Sequence, residues 1–133
     1  MCGIAGFLGT PASGTAEAAV KAMTDVIAHR GPDADGAWCD SDARIALGHR
    51  RLSIIDLSPL GAQPMHAASG RYAIAFNGEA YNYAPIRAEL SNSGYPFKGQ
   101  SDTEVLLAAF DRWGVEASIP KFAGPIKFEK VER

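Results

Sequence analysis

The second residue of this chain is a cysteine, and the run behind it builds the front of the polypeptide into the fold. Gly3-Ile4-Ala5-Gly6-Phe7-Leu8-Gly9 is a short apolar run punctuated by glycine, and glycine inside a strand marks close approach of another backbone or a ligand. The reading is a buried strand that begins beside Cys2. A small second residue permits removal of the initiator methionine, which would leave a thiol and a free α-amine on one residue. The amine titrates near ~7.7–8.0 and an ordinary cysteine near ~8.5, so the two are matched for proton exchange at neutral pH. Thiol attack assisted by an N-terminal amine is the cysteine counterpart of the threonine and N-terminal-amine pairing.

The chain has 133 residues, enough for one domain with a core. Its formal net charge of -2 supplies neither a basic footprint for nucleic acid nor a polyacidic tail. Cys2 and Cys39 lie far apart without Cys-x-x-Cys spacing, which argues against a zinc site and a disulfide framework. Cys39 reads as a small strand or core residue. No signal-peptide pattern and no apolar run of ~18 residues occurs. The expectation is a cytoplasmic protein with no membrane partner.

Strand and helix signals alternate along the chain. Ala16, Ala19, Val20, Met23, Val26 and Ile27 repeat with helical period up to His29-Arg30 and Gly31-Pro32. Asp33 to Gly36 reads as a turn. Ile45 to His49 and Leu52 to Ile55 read as strands interrupted by Arg50-Arg51. Arg71 to Phe76 reads as a strand ending at Asn77-Gly78, a strong turn signal. Pro85 opens a helix that Ser93-Gly94 closes. Ser101-Asp102-Thr103-Glu104 has capping-box form, with Glu104 placed to reach back to the Ser101 amide.

Nucleophile-elbow, dinucleotide, phosphate-loop and His-Glu-x-x-His signatures are absent. His29, His49 and His66 share no ligand spacing, so no metal is expected. There remains a set of ordered blocks: Met1-Cys2-Gly3-Ile4-Ala5-Gly6, His29-Arg30-Gly31-Pro32-Asp33, Arg50 to Asp56, Phe76-Asn77-Gly78-Glu79-Ala80-Tyr81-Asn82-Tyr83, and Ser101-Asp102-Thr103-Glu104. Together they resemble the glutaminase domain of asparagine synthetases, a class II glutamine amidotransferase of the N-terminal-nucleophile hydrolase superfamily. Ala80 is a departure, since the family usually has a larger aliphatic residue there.

The resemblance implies an α+β fold of layered α/β/β/α type. It makes Cys2 the catalytic nucleophile, with Asn77 and Gly78 as donors to the tetrahedral oxyanion. Glutamine is a zwitterion, and the resemblance assigns its α-carboxylate to Arg51 and its α-ammonium to Glu79 and Asp102. Arginine suits the first task because its planar fork holds a carboxylate by two parallel hydrogen bonds. Leu52 and Ile54 would supply pocket wall and backbone contacts. Arg30 and Asp33 read as loop-fixing residues. The implied partners are L-glutamine and an ammonia-accepting synthetase domain or subunit. This chain itself needs no cofactor, since ATP and magnesium belong to the synthetase domain.

The resemblance covers the chain to about Ala117, so residues 1–117 read as the N-terminal part of the amidotransferase domain and 118–133 as a divergent tail. The C-terminal strands of the family are expected to be missing or replaced. Pro125 cannot donate to a central ladder, although Ile126, Phe128 and Val131 permit a short edge strand. An unfinished sheet would expose backbone groups that invite a homodimer. The alternative reading is a truncated, catalytically silent module that binds glutamine or a partner subunit.

Overall fold

The computed structural model describes residues 1–53 and 58–125. The leading strand β1 spans Gly3–Leu8. Helix α1 (Ala16–Val26) starts at Thr15, whose side chain accepts the Ala18 amide, satisfying one of the donors that a helix N-terminus leaves free. A single 3-10 turn, Ala28–Arg30, comes next. Strands β2 (Ala34–Asp40) and β3 (Ile45–Arg51) form a hairpin. Its loop is pinned by Asp40, whose Oδ1 accepts from the amides of Asp42 and Ala43.

β3 is the centre of an antiparallel sheet ordered β1-β3-β2. The register pairs Gly3 with Arg50 on one side and Ala34 with Arg51 on the other. Both arginines are therefore inside the ladder. The strand break expected at Arg50-Arg51 and the turn expected over Asp33 to Gly36 are both overturned by this register. Side chains alternate across a strand, so adjacent arginines can serve opposite faces. Arg50 turns toward α1, where its Nε donates to the Thr24 carbonyl at 3.0 Å and its guanidinium pairs with Asp25. Arg51 turns the other way.

Helix α1 docks where β3 has no side chain. A Cβ on Gly48 would lie 2.4 Å from Thr24 Cγ2 and 3.0 Å from Val20 Cγ2, so glycine is what lets helix and sheet touch. Val20 and Thr24 are buried, whereas Met23 and Val26 are exposed. The helical period expected from the sequence is present, but its packed face runs through a threonine.

A second, two-stranded sheet pairs β4 (Met65–His66) with β5 (Ala73–Ile74). β5 is much shorter than the expected strand over Arg71 to Phe76, because Phe76 finds side-chain partners instead of a ladder. Helices α2 (Tyr83–Asn92) and α3 (Asp102–Trp113) come next, then one turn, α4 (Val115–Ser118), and a 3-10 turn at Ile119–Lys121.

α3 is the centre of the second half. Every residue from Val105 to Phe110 is buried. Leu106, Leu107 and Phe110 pack with Ala67 and Phe76 on the sheet side, while Val105, Ala108 and Ala109 pack with Ile86 and Leu90 of α2. Ser101 caps the helix by accepting the Glu104 amide. The Glu104 carboxylate does not close the expected capping box; it accepts from the amides of Lys98 and Gly99, both at 2.8 Å.

Ser118 is fully buried and its hydroxyl donates to the Ala109 carbonyl. Phe122 packs against both core clusters. The edge strand expected over Ile126 to Val131 lies outside the described residues. No described helix is long and apolar enough to cross a membrane.

Candidate active site

The ladder register fixes the front of the chain. With Gly3 paired to Arg50, the antiparallel register sets Cys2 opposite Arg51, and its side chain reaches Leu52, one step beyond the end of β3. The Leu52 amide donates to Cys2 Sγ at 3.3 Å, and the thiol reaches the Leu52 carbonyl at 3.6 Å. Leu52 thus brackets the sulfur with its own backbone. Arg30 Nε donates to the Cys2 carbonyl at 3.2 Å, which fixes the peptide behind the thiol.

The Arg30-Gly31-Pro32-Asp33 segment then holds β3's far end. The Asp33 amide donates to the Arg51 carbonyl, and Asp33 Oδ2 accepts from the Ser53 amide at 2.7 Å. Gly31 passes so close that a Cβ would sit 2.4 Å from the Arg50 carbonyl carbon. These are positional contacts and none reaches the sulfur.

Across the cavity lies the segment from Phe76 to Ala80, which belongs to no strand or helix. Side chains from other elements grip it at both ends. The Phe76 amide donates to Gln63 Oε1 at 2.6 Å, and the Phe76 carbonyl lies 3.2 Å from His49 Nε2. A carbonyl only accepts, so Nε2 carries a proton here. At the other end the Ala80 amide donates to Asp102 Oδ2 at 3.0 Å. Asp102 is the first residue of α3 and is buried, a position that suits an acid by the helix dipole.

Between the two anchors stand Asn77, Gly78 and Glu79. A Cβ on Gly78 would meet Phe76 Cζ at 2.8 Å and the Pro125 carbonyl oxygen at 2.9 Å. Glycine is required there by close approach, not by a left-handed φ. The chain after α4 lies against the same loop. The Tyr81 amide donates to the Ala123 carbonyl, and the Asn82 side chain both accepts from the Ala123 amide and donates to the Lys121 carbonyl.

These segments enclose a cavity of about 380 Å³ lined by Cys2, Arg51, Leu52, Asn77, Gly78, Glu79 and Asp102, among others. That volume lies in the range of small-molecule pockets, roughly 300–1,000 Å³. Seven of the eight site residues expected from the sequence therefore share one cavity. Ile54, the eighth, lies outside the described residues. Arg51 is buried on the cavity face of β3, and its Nη1 donates to the Ser58 carbonyl at 2.8 Å. Glu79 and Asn77 are exposed.

Sequence reasoning missed Gln63 and Thr103, which also line the cavity, and the part played by His49. A lone glutamine beside a proline carries no chemical signature, and a histidine inside a strand reads as structure. His49 is 1% exposed. Burial pulls its pKa below the usual histidine value and the neighbouring Arg51 charge adds to this, while the bond to Phe76 opposes it. Among the described residues no group of three or more His, Cys, Asp or Glu could hold a metal ion.

A cysteine at residue 2 thus shares one cavity with an arginine and two acids, groups whose charges complement those of a zwitterionic small molecule. Residues 1–129 match the glutamine amidotransferase domain, and the chain belongs to that family. It is 46% identical over 121 residues to asparagine synthetase (glutamine-hydrolyzing) 1 of Bacillus subtilis, across 89% of this chain and 19% of that protein. It is 41% identical over 125 residues to amidase chry2 of Gibberella zeae, across 86% of this chain and 18% of that protein. Asparagine synthetase (glutamine-hydrolyzing) 3 of Bacillus subtilis is 37% identical over 116 residues, with 85% and 18% covered. Within the family, the chain is homologous to the glutaminase domains of asparagine synthetases. It spans about a fifth of the length of the curated relatives it matches.

Proposed function

We infer that this domain hydrolyses the side-chain amide of L-glutamine to glutamate and ammonia, and that the ammonia passes to an ATP-using synthetase domain or subunit that makes asparagine. The observation that carries this reading is the convergence of Cys2, Arg51, Asn77, Gly78, Glu79 and Asp102, distant in sequence, on one cavity. Removal of Met1 frees the Cys2 α-amine, which takes the thiol proton as sulfur attacks the amide carbon. The carbonyl π electrons move to oxygen, and the Asn77 side-chain amide and Gly78 backbone amide donate to that oxyanion. When the C–N bond breaks, the α-ammonium returns its proton to the leaving nitrogen and ammonia departs. Water then attacks the thioester, releasing glutamate and restoring the thiol.

Arg51 holds the substrate α-carboxylate, and Glu79 with Asp102 hold its α-ammonium. Leu52 fixes the sulfur by its backbone and offers its side chain as wall. The fold reading that accompanies this function is the α/β/β/α layering of N-terminal-nucleophile hydrolases. Support comes from both faces of the three-stranded sheet. α1 covers one at Gly48, and the other meets the second half through His49 and Phe76 and through Trp38 and His66, with ring centroids 5.7 Å apart.

The test is ammonia release from glutamine by protein whose intact mass shows loss of Met1. Turnover abolished by Cys2→Ala supports the reading. Folded, processed protein that binds glutamine and releases no ammonia refutes it and points to a silent binding module.

A further inference from the structure

We propose that Gln63 is a positioning residue for the oxyanion donors of this site, acting through the Phe76 peptide that precedes Asn77. The proposal rests on the glutaminase reading of the cavity. β5 ends at Ile74, so no ladder holds residue 76. Side chains replace the ladder. Gln63 Oε1 takes the Phe76 N–H at 2.6 Å, and His49 Nε2 donates to the Phe76 carbonyl at 3.2 Å. Both polar groups of one residue are fixed from outside its own segment.

Gln63 is itself held. Its Nε2 donates to Thr103 Oγ1 at 3.3 Å, next to Asp102 on the first turn of α3. Its backbone abuts β2 so closely that a Cβ on Gly36 would lie 2.1 Å from the Gln63 carbonyl oxygen. One amide side chain therefore ties the front of the Asn77 loop to the same helix turn that holds its back, where Asp102 takes the Ala80 amide. Donors to an oxyanion work by being fixed before charge develops, and a shift of ~1 Å in a reacting group can lose ~10²-fold in rate. Gln63 supplies that fixation without contacting the reacting atoms.

Processed wild-type protein is compared with Gln63→Met, which removes both bonds at nearly constant volume, with Thr103→Val, which removes only the far anchor, and with Gln63→Glu, which keeps an acceptor for the Phe76 amide. In Gln63→Met, kcat for ammonia release is expected to fall ~10–100-fold with KM changed less than ~3-fold. Thr103→Val gives a smaller loss, and Gln63→Glu recovers activity relative to Met. Alkylation of Cys2 by iodoacetamide displaces iodide at a saturated carbon and forms no oxyanion, so its rate stays at the wild-type value. Hydrogen exchange at the Phe76 amide speeds up about 2–13-fold in Gln63→Met, as expected for loss of a neutral bond of this class.

Unchanged kcat in an active background, or equal loss of Cys2 alkylation, overturns the proposal. So does a Phe76 amide that stays as protected in Gln63→Met as in wild type. Wild-type protein that releases no ammonia refutes the glutaminase reading instead, and the Phe76 exchange still decides whether Gln63 holds the loop. Should Gln63→Met fail to fold, Thr103→Val and Gln63→Glu supply the same comparison.

Discussion

Asp102 is asked to do two things, and two substitutions separate them. Structurally it accepts the Ala80 amide at 3.0 Å, and Ala80 is only 2% exposed. Asp102→Ala removes a hydrogen bond to a charged group and strands a buried donor, which together cost about 2–4 kcal/mol. Loss of a first-turn acid adds up to about 1 kcal/mol. For a chain of this size that lowers Tm by roughly 6–15 °C. Asp102→Asn keeps an acceptor for the Ala80 amide. A charge-assisted bond is roughly twice as strong as a neutral one, so this variant loses about 1 kcal/mol and a few degrees. Substrate binding should respond differently. If the carboxylate grips the glutamine α-ammonium, Asp102→Asn raises KM about 10–100-fold, the equivalent of about 1.4–2.8 kcal/mol. The assays are thermal unfolding and steady-state ammonia release. Equal Tm for the Asn and Ala variants would refute the structural role, and an unchanged KM in Asp102→Asn would refute the ammonium role.

Gly78→Ala brings a Cβ to 2.8 Å from the Phe76 ring and 2.9 Å from the Pro125 carbonyl oxygen. The loop must move, and kcat for ammonia release is expected to drop about 10–100-fold; an undiminished kcat would show that the contact is not limiting. Burial holds the pKa of His49 below the usual histidine value, and the unfolded chain takes its proton near ~6.5. The His49 contribution to stability is therefore complete above about pH 6.5 and declines as pH falls from there toward the lower folded value. Denaturant unfolding at about pH 7.5 and 5.5 should show this loss in wild type and a shallower one in His49→Gln. Identical pH dependence in both proteins would exclude His49 as its source.

What the sequence made legible was carried by period and punctuation. β1, α1, α2 and α3 each have an apolar repeat and a stop signal and each is present, but α1 stops at Val26 before a 3-10 turn, α2 starts at Tyr83 ahead of Pro85, and β1, expected to be buried, exposes Ile4 and Leu8. The misreadings lie where a tertiary partner overrides a local rule. Arg50-Arg51 reads as a break because two charges do not suit a buried strand, yet opposite faces give one guanidinium the end of α1 and the other the cavity. Thr24 looks like a polar interruption of α1, and the missing side chain at Gly48 makes it the packed residue. Glu104 fits a capping box by spacing, but the amides of Lys98 and Gly99 take its carboxylate.

The site divided in the same way. The residues proposed for the chemistry, Cys2, Arg51, Asn77, Gly78, Glu79 and Asp102, could be named because they sit in ordered blocks that resemble a known family. Gln63 and Thr103 could not. Their contacts exist only once the segment before β4, the Asn77 loop and α3 are brought together, and neither residue is given a role by the resemblance that marks Asn77.

The Gly3–Arg50 pairing also dictates how the molecule tolerates change in length. A strand advances ~3.3 Å per residue, so one residue inserted between Cys2 and Gly3 would carry the sulfur beyond reach of the Leu52 amide while every apolar contact of the core stayed intact. The distance from the ladder to the thiol is thus a ruler one residue long, and editing at that junction could extinguish chemistry without touching the melting curve.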